Sequence, residues 1–148
     1  MAGLTLKAGH ESLSSILTTR NDQENSVYSA VYSAGAFSLG YAEWEHNDGA
    51  AGTAGADYTG EGMSIAFNVN DNMSISYTTS DETYDTQDNA KTAVTTDDDV
   101  TESIDALQVA YSMGGMSIKA YNMEITNPDQ DDDAADRSVT EIALGFAF

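Results

Sequence analysis

The sequence predicts an all-β fold, an antiparallel up-and-down β-barrel that spans a membrane. The last eleven residues, SVTEIALGFAF, show the reason. From Ile142 onward, large apolar residues alternate with alanine and glycine, and a period of two indicates a strand. A soluble sheet normally turns a polar face to water. One large apolar face and one small face are typical of a barrel strand between lipid and a lumen. The same alternation recurs along the chain, and short turns alternate with long acidic loops.

Composition limits the classes of protein that need to be considered. The chain has 148 residues and a formal charge of -20, from 25 acidic and 5 basic residues, which makes nucleic acid a poor partner. There is no cysteine, so disulfides and thiolate metal sites are excluded. We expect residues 1–148 to form a single barrel domain or half of one. The opening MAGLTLKAGHE is unlike a secretory signal, so we expect a mature or recombinant chain, or one that begins inside a longer parent.

Alternation of large and small residues predicts about eight strands. In the first, Leu4 and Leu6 lie opposite Thr5 and Lys7. We expect the strands at residues 1–10, 27–33, 36–45, 63–70, 73–79, 104–113, 116–125 and 138–148. Tight turns are expected at residues 33–35, where Gly35 takes a positive φ, and at 70–72 and 114–115. The remaining connections, residues 11–26, 46–62, 80–103 and 127–137, are predicted loops. Short turns on one side and long loops on the other are typical of outer-membrane barrels.

Aromatic residues on the large apolar face are predicted to form the membrane girdle, several of them near strand ends. The expected girdle residues are Tyr28, Tyr32, Phe37, Tyr41, Tyr77, Tyr111 and Phe148.

Three segments resemble a known family. The sequence YSMGGMSIKAYNMEI, an Asp-rich loop and the terminal TEIALGFAF are similar to the C-terminal part of Gram-negative general porins, those of alphaproteobacteria in particular. The segment GMSIAFNVNDNMSISYTTS resembles an earlier hairpin of the same family. The resemblance implies a trimeric, water-filled diffusion channel of roughly sixteen strands. This chain is about half as long, and the family's constriction loop belongs to the other half, so no constriction residue is carried over.

Strand parity places five polar residues on the small face as candidates for pore lining, where they would tune which ions pass. They are Lys7, Asn68, Gln108, Lys119 and Glu141. An alternative is that these groups only satisfy one another, as Lys119 and Glu141 on adjacent strands would. The small face also carries too little side-chain volume to fill a closed eight-stranded interior, and unfilled cavity costs about 24 cal/mol per Å³. A wider wall, completed by another chain or by a missing half, is therefore favoured.

Two predicted loops, residues 80–103 and 127–137, hold thirteen of the 25 acidic residues. The main expectation is a solvated, mobile surface that raises the local cation concentration. A weaker one is Ca²⁺ or Mg²⁺ binding, which would also bridge the loops to lipopolysaccharide. The candidate metal ligands are Asp97, Asp98, Asp99, Asp129, Asp131 and Asp133, although Ala134 replaces the glycine that a calcium loop requires.

Together these patterns predict a passive porin in the outer membrane of a Gram-negative bacterium, without a catalytic site or a required cofactor. The expected partners are outer-membrane lipid, lipopolysaccharide, and either two further copies in a trimer or an N-terminal barrel half. Two other classes stay open at this point. One is a closed eight-stranded structural or adhesive barrel, and the other is a secreted, acidic, calcium-binding β-sandwich adhesin.

Overall fold

A computed structural model describes residues 2–16, 21–49, 57–85 and 99–147. These residues form eight antiparallel strands in one sheet, hydrogen-bonded in chain order, as the alternation predicted. The strands are β1 (Ala2–Leu13), β2 (Gln23–Ala34), β3 (Phe37–Asn47), β4 (Asp57–Asn70), β5 (Met73–Asp85), β6 (Val100–Met113), β7 (Met116–Thr126) and β8 (Arg137–Phe146). A single 3-10 turn, Pro128–Gln130, follows β7. A β-sandwich is therefore wrong for the described residues, because it needs two packed sheets.

Several strands are longer than the sequence predicted. The expected loop at 11–26 contains the end of β1 and the start of β2, and the expected loops at 46–62 and 80–103 contain parts of β3, β4, β5 and β6. In these extensions most residues on both faces are polar, Leu13 and Val100 being exceptions, so the alternation that marks a strand disappears while the backbone ladder continues. Hydrogen bonds between polar side chains on neighbouring strands support these extensions. The hydroxyls of Thr83 and Thr101, for example, share a hydrogen bond of 2.7 Å.

The three short turns lie where the sequence placed them. Gly35 and Gly114 have φ of 62° and 59°, and each is the first central residue of a two-residue hairpin loop, where a type II′ turn favours glycine. The turn after β4 is built differently. A bulge between Asn68 and Asn70 precedes it, and the side-chain oxygen of Asn70 accepts a hydrogen bond of 2.9 Å from the backbone N–H of Asn72.

The described residues have no buried hydrophobic core. Residues directly opposite in an antiparallel pair share a face, so the register assigns every strand position to one of two faces. The apolar face carries the row Leu4, Tyr32, Leu39, Ile65, Tyr77 and Leu107. The small-residue face carries the row Gly3, Ser33, Ser38, Ala66, Ser76 and Gln108. Of the exposed large hydrophobics in strands, only Leu13, Val27, Val31 and Val139 lie on the small-residue face.

On the apolar face, large side chains form a belt next to the short turns, and the residues beyond it are polar. In each short-turn hairpin, the large residue of the first strand that lies farthest from the turn pairs with a polar residue of the second strand. The three pairs are Tyr28 with Glu43, Met63 with Thr79, and Leu107 with Asn122. Between two strands that are joined by a long loop, the boundary of the belt on the long-loop side (the upper boundary) stays at the same register position. Tyr41 of β3, for example, pairs with Met63 of β4. The boundary therefore moves by two residues per hairpin along the strands.

The lower boundary of the belt moves by the same amount. Phe37 pairs with Phe67, two residues short of Val69, and Met73 pairs with Tyr111, two residues short of Met113. The two boundaries therefore run parallel, and the belt crosses the sheet at an average of one residue per strand. With a rise of about 3.3 Å per residue and a strand spacing of about 4.8 Å, this offset tilts the strands by about 35° from the normal of the belt. Strands of membrane barrels tilt by about 35–45°.

The sheet is open. The first strand, β1, is hydrogen-bonded only to β2, and β8 only to β7, so that each edge strand leaves a row of backbone groups outside the ladder. Both edge strands have their outer ends, Ala2 and Phe146, beside the short turns. No helix among the described residues is long and apolar enough to cross a bilayer.

Cysteine pairs test the open edges, because the natural chain has no cysteine. With Thr5→Cys in β1 and one of Val139→Cys, Glu141→Cys or Ala143→Cys in β8, we expect no disulfide within a chain under mild oxidation. Thr5→Cys with Val31→Cys is the positive control, since these two positions face each other across β1 and β2. Non-reducing gels of the folded protein provide the measurement. A fast-migrating band for any β1–β8 pair would instead mean that the eight strands close on themselves.

Candidate functional site

All five candidates for pore lining lie on the small-residue face. Their partners across the strands are small, except that Gln108 and Glu141 both lie opposite Tyr121. The register pairs Lys7 with Ser29, Asn68 with Ser74, Gln108 with Ser76, Lys119 with Ala143, and Glu141 with Tyr121.

Three of these candidates come together near the edge of the sheet. Gln108, Lys119 and Glu141 line a depression of about 410 Å³ together with Tyr121. Glu141 accepts a hydrogen bond of 3.2 Å from the hydroxyl of Tyr121. Among the described residues, Lys119 and Glu141 form no ion pair with each other. The alternative in which these two charges simply neutralise one another therefore lacks support, and Lys119 stays exposed on this face.

The predicted girdle residues share the apolar face as far as the structure describes them, since Phe148 lies outside the described residues. Tyr28, Tyr41 and Tyr77 mark the upper boundary of the belt. The hydroxyls of Tyr41 and Tyr77 donate hydrogen bonds to the carboxylates of Glu61 and Asp105. Such a tyrosine turns its ring toward the belt and its hydroxyl toward the polar residues beyond it.

Three other predicted girdle residues, Tyr32, Tyr111 and Phe37, lie away from the upper boundary of the belt. Tyr32 and Tyr111 lie within the belt, and Phe37 follows a short turn and packs on Phe67 with ring centroids 4.5 Å apart.

The candidate metal ligands assemble only in part. Asp97 and Asp98 lie outside the described residues, and Asp99 immediately precedes β6. The carboxylates of Asp131, Asp132 and Asp133 lie within 4.8 Å of one another and are exposed. In the loop after β7, the predicted ligands were Asp129, Asp131 and Asp133. Asp129 is instead in an ion pair of 3.1 Å with Arg137, and Asp132 joins the cluster in its place.

Sequence reasoning gave no role to Trp44, which proves to be the largest side chain at the long-loop end of the small-residue face. Its indole Nε1 donates a hydrogen bond of 2.7 Å to Oε2 of Glu82. Gly60 lies between them in the register and leaves room for the ring: a Cβ atom on Gly60 would lie 2.1 Å from Cε2 of Trp44. The available signal was a lone tryptophan in a strand face of Ser, Gly and Ala.

The loop between β7 and β8, residues 127–136 (hereafter the inward loop), turns onto the same end of the sheet. Gln130 Nε2 donates a hydrogen bond of 3.1 Å to Oε1 of Glu82, and the backbone N–H of Asp129 donates one of 2.6 Å to Glu102. Glu82 and Glu102 are directly opposed on the small-residue face. Pro128, the first residue of the 3-10 turn in this loop, is fully buried. The sequence predicted a mobile loop here, whereas the structure ties it to β5 and β6.

Comparisons with known proteins add no relative. No protein-family model matches the chain, and neither a curated protein nor a solved structure matches it. The geometry of the two faces is thus the basis for any assignment.

The contact between Trp44 and Gly60 predicts unequal effects for two glycine substitutions in β4. Gly60→Ala forces the indole to move and should destabilise the fold by about 1–3 kcal/mol. Gly62→Ala, two residues along on the same face, meets its nearest atoms at 3.6 Å and should have little effect. Trp44 is the only tryptophan, so its fluorescence during urea unfolding in detergent measures both variants. Equal unfolding midpoints would contradict the packing of Trp44 over Gly60.

Proposed function

We propose that this chain is part of the wall of a transmembrane β-barrel, a porin in the outer membrane of a Gram-negative bacterium. It passes small hydrophilic solutes by passive diffusion, with a preference for cations. The observation that carries the proposal is the belt of large apolar side chains on one face, whose two boundaries shift along the strands by the same two residues per hairpin.

A planar slab of hydrocarbon accounts for this belt better than a protein partner. The boundaries of a lipid slab are two parallel planes, so tilted strands must enter and leave it at positions that shift evenly from strand to strand. A protein surface imposes no such regularity. The polar residues begin at once beyond the belt: Tyr28 is followed across the sheet by Glu43, Glu61 and Asp81 in one register row. Outer-membrane lipid and lipopolysaccharide are the proposed surroundings of this face.

The open edges support a wall that is completed by further strands. In hydrocarbon, each backbone group left without a hydrogen bond costs several kcal/mol, so β1 and β8 need partners. Pairing them with each other would enclose the small-residue face, which has glycine, serine or alanine at most positions level with the belt and would leave a cavity there. Additional strands, from the rest of a longer protein or from another chain, avoid that cavity. The porin resemblance implies roughly sixteen strands and a trimer, which stay proposals.

The small-residue face is the proposed lining of an aqueous lumen. The exposed polar groups of Lys7, Gln108, Lys119 and Glu141 lie on it and would contact passing ions. Toward the long loops the same face carries the opposed carboxylates of Glu82 and Glu102. With a net charge of -20, the protein creates a negative potential at the loop end, which raises the local cation concentration.

Single-channel recording in planar bilayers tests the function. The complex purified from the membrane of its source should give large, steady conductance steps and a reversal potential that indicates cation preference. The chain refolded alone should give none, because its wall is incomplete. Silence from both preparations, with the protein shown to be folded, would refute the porin and favour a small plugged barrel.

Two neighbouring positions in β4 test which face meets lipid. Ile65→Arg places a charge in the middle of the belt and should destabilise the protein in lipid vesicles by about 2–4 kcal/mol. Ala66→Arg places the same charge on the small-residue face and should cost far less. Guanidinium titration of folding into vesicles measures both. Similar losses for the two variants would contradict the assignment of faces.

A further inference from the structure

Among the long connections, the inward loop is the one that the structure describes throughout, and it does not extend away from the sheet. Three of its non-glycine residues, Asn127, Asp129 and Gln130, have positive φ of 48°, 64° and 52°. Asparagine and aspartate tolerate this left-handed conformation, whereas it is unfavourable for a residue such as Gln130 and there needs support from surrounding contacts. Here Asn127 donates a hydrogen bond of 3.0 Å to the backbone oxygen of Thr101, which adds to the contacts of Asp129 and Gln130 with β6 and β5.

Glu82 is the centre of this arrangement. One carboxylate oxygen accepts from the indole of Trp44 in β3, and the other accepts from the side-chain amide of Gln130 in the inward loop. The absence of a side chain at Gly60 lets the indole reach Glu82 across β4. One carboxylate therefore links the loop to two strands that are not neighbours in the sheet.

Glu82 lies well beyond the belt along β5. Glu82 lies five residues beyond Tyr77, the last belt residue of β5, which is about 17 Å along the strand toward the long loops. The link is therefore outside the belt, at the entrance of the proposed lumen. Both Glu82 and Glu102 project from the small-residue face, so the loop tied to them lies over that face rather than beside it.

We propose that the inward loop is a fixed strap across the entrance of the channel, and that Glu82 is the positioning residue that holds it there. This inference rests on the proposed porin function. The strap narrows the passage on the side of β5 and β6 and holds its own acidic residues, Asp131 to Asp133 among them, above the opening. Solutes that enter the lumen pass this loop first.

The experiment compares four variants by single-channel conductance of the complex purified from its source membrane. Glu82→Ala removes both hydrogen bonds and Gln130→Ala removes the loop's side of the link, so each should raise conductance by about 1.5-fold or more through a wider entrance. Glu82→Gln removes the charge but keeps an amide oxygen that accepts from Trp44 or Gln130, so the loop should stay in place. This variant should therefore conduct less than Glu82→Ala does, with a cation preference weaker than that of the natural protein. Glu61→Ala, a carboxylate of β4 on the apolar face, should have no effect.

Trp44 fluorescence provides a readout that does not depend on conduction. Glu82→Ala should shift the emission of this single tryptophan, while Glu82→Gln should restore most of it. If Glu82→Ala does not fold, Gln130→Ala decides the question, because Gln130 is in a loop. A natural protein that conducts, with both alanine variants indistinguishable from it, would overturn the strap and leave the porin standing. A folded natural complex that does not conduct would overturn the porin, and the strap with it.

Discussion

The antiparallel ladder of backbone hydrogen bonds is the constraint on which the rest of this structure depends. Seven strand pairings join eight strands, and the described residues bury no hydrophobic side chain beneath them. A sheet of this kind gains little from burial in water, since both faces stay accessible. In hydrocarbon the same ladder is strongly favoured, because no water competes for the backbone N–H and C=O groups. The side chains are then left to suit two different surroundings, one on each face.

The register of the ladder, more than local composition, determines which side chains meet. Trp44, Gly60 and Glu82 are far apart in sequence, and they form one contact because β3, β4 and β5 pair at these positions. The pairing of β5 with β6 opposes Glu82 and Glu102, which then hold the loop after β7. A shift of one residue in any of these pairings would move one member to the other face and dissolve the group.

Much of the fold was predictable, because strands that cross the belt carry a period of two. The number of strands and the face of each predicted girdle residue within the described ranges follow from that period, and the glycine and asparagine signals located the three short turns. The strand ends did not follow, since β5 continues to Asp85 through residues that are polar on both faces. The contacts of the inward loop could not be predicted from local sequence, because Gln130 and Asp129 bind partners in β5 and β6 that are distant in the chain. The ion pair of Asp129 with Arg137, which separates Asp129 from the other predicted metal ligands of this loop, also depends on the fold.

The even offset of the belt has a consequence for how such a sheet changes its number of strands. Each short-turn hairpin repeats the displacement of the one before it, from Phe37 beside Phe67 to Met73 beside Tyr111. A hairpin is therefore an interchangeable unit. Duplication of the gene segment for one hairpin adds two strands, keeps the same slant and leaves both ends of the sheet on the same side. Descendants of one ancestral sheet can thus differ by steps of two strands, while the belt on the apolar face continues at the same slope across the added strands.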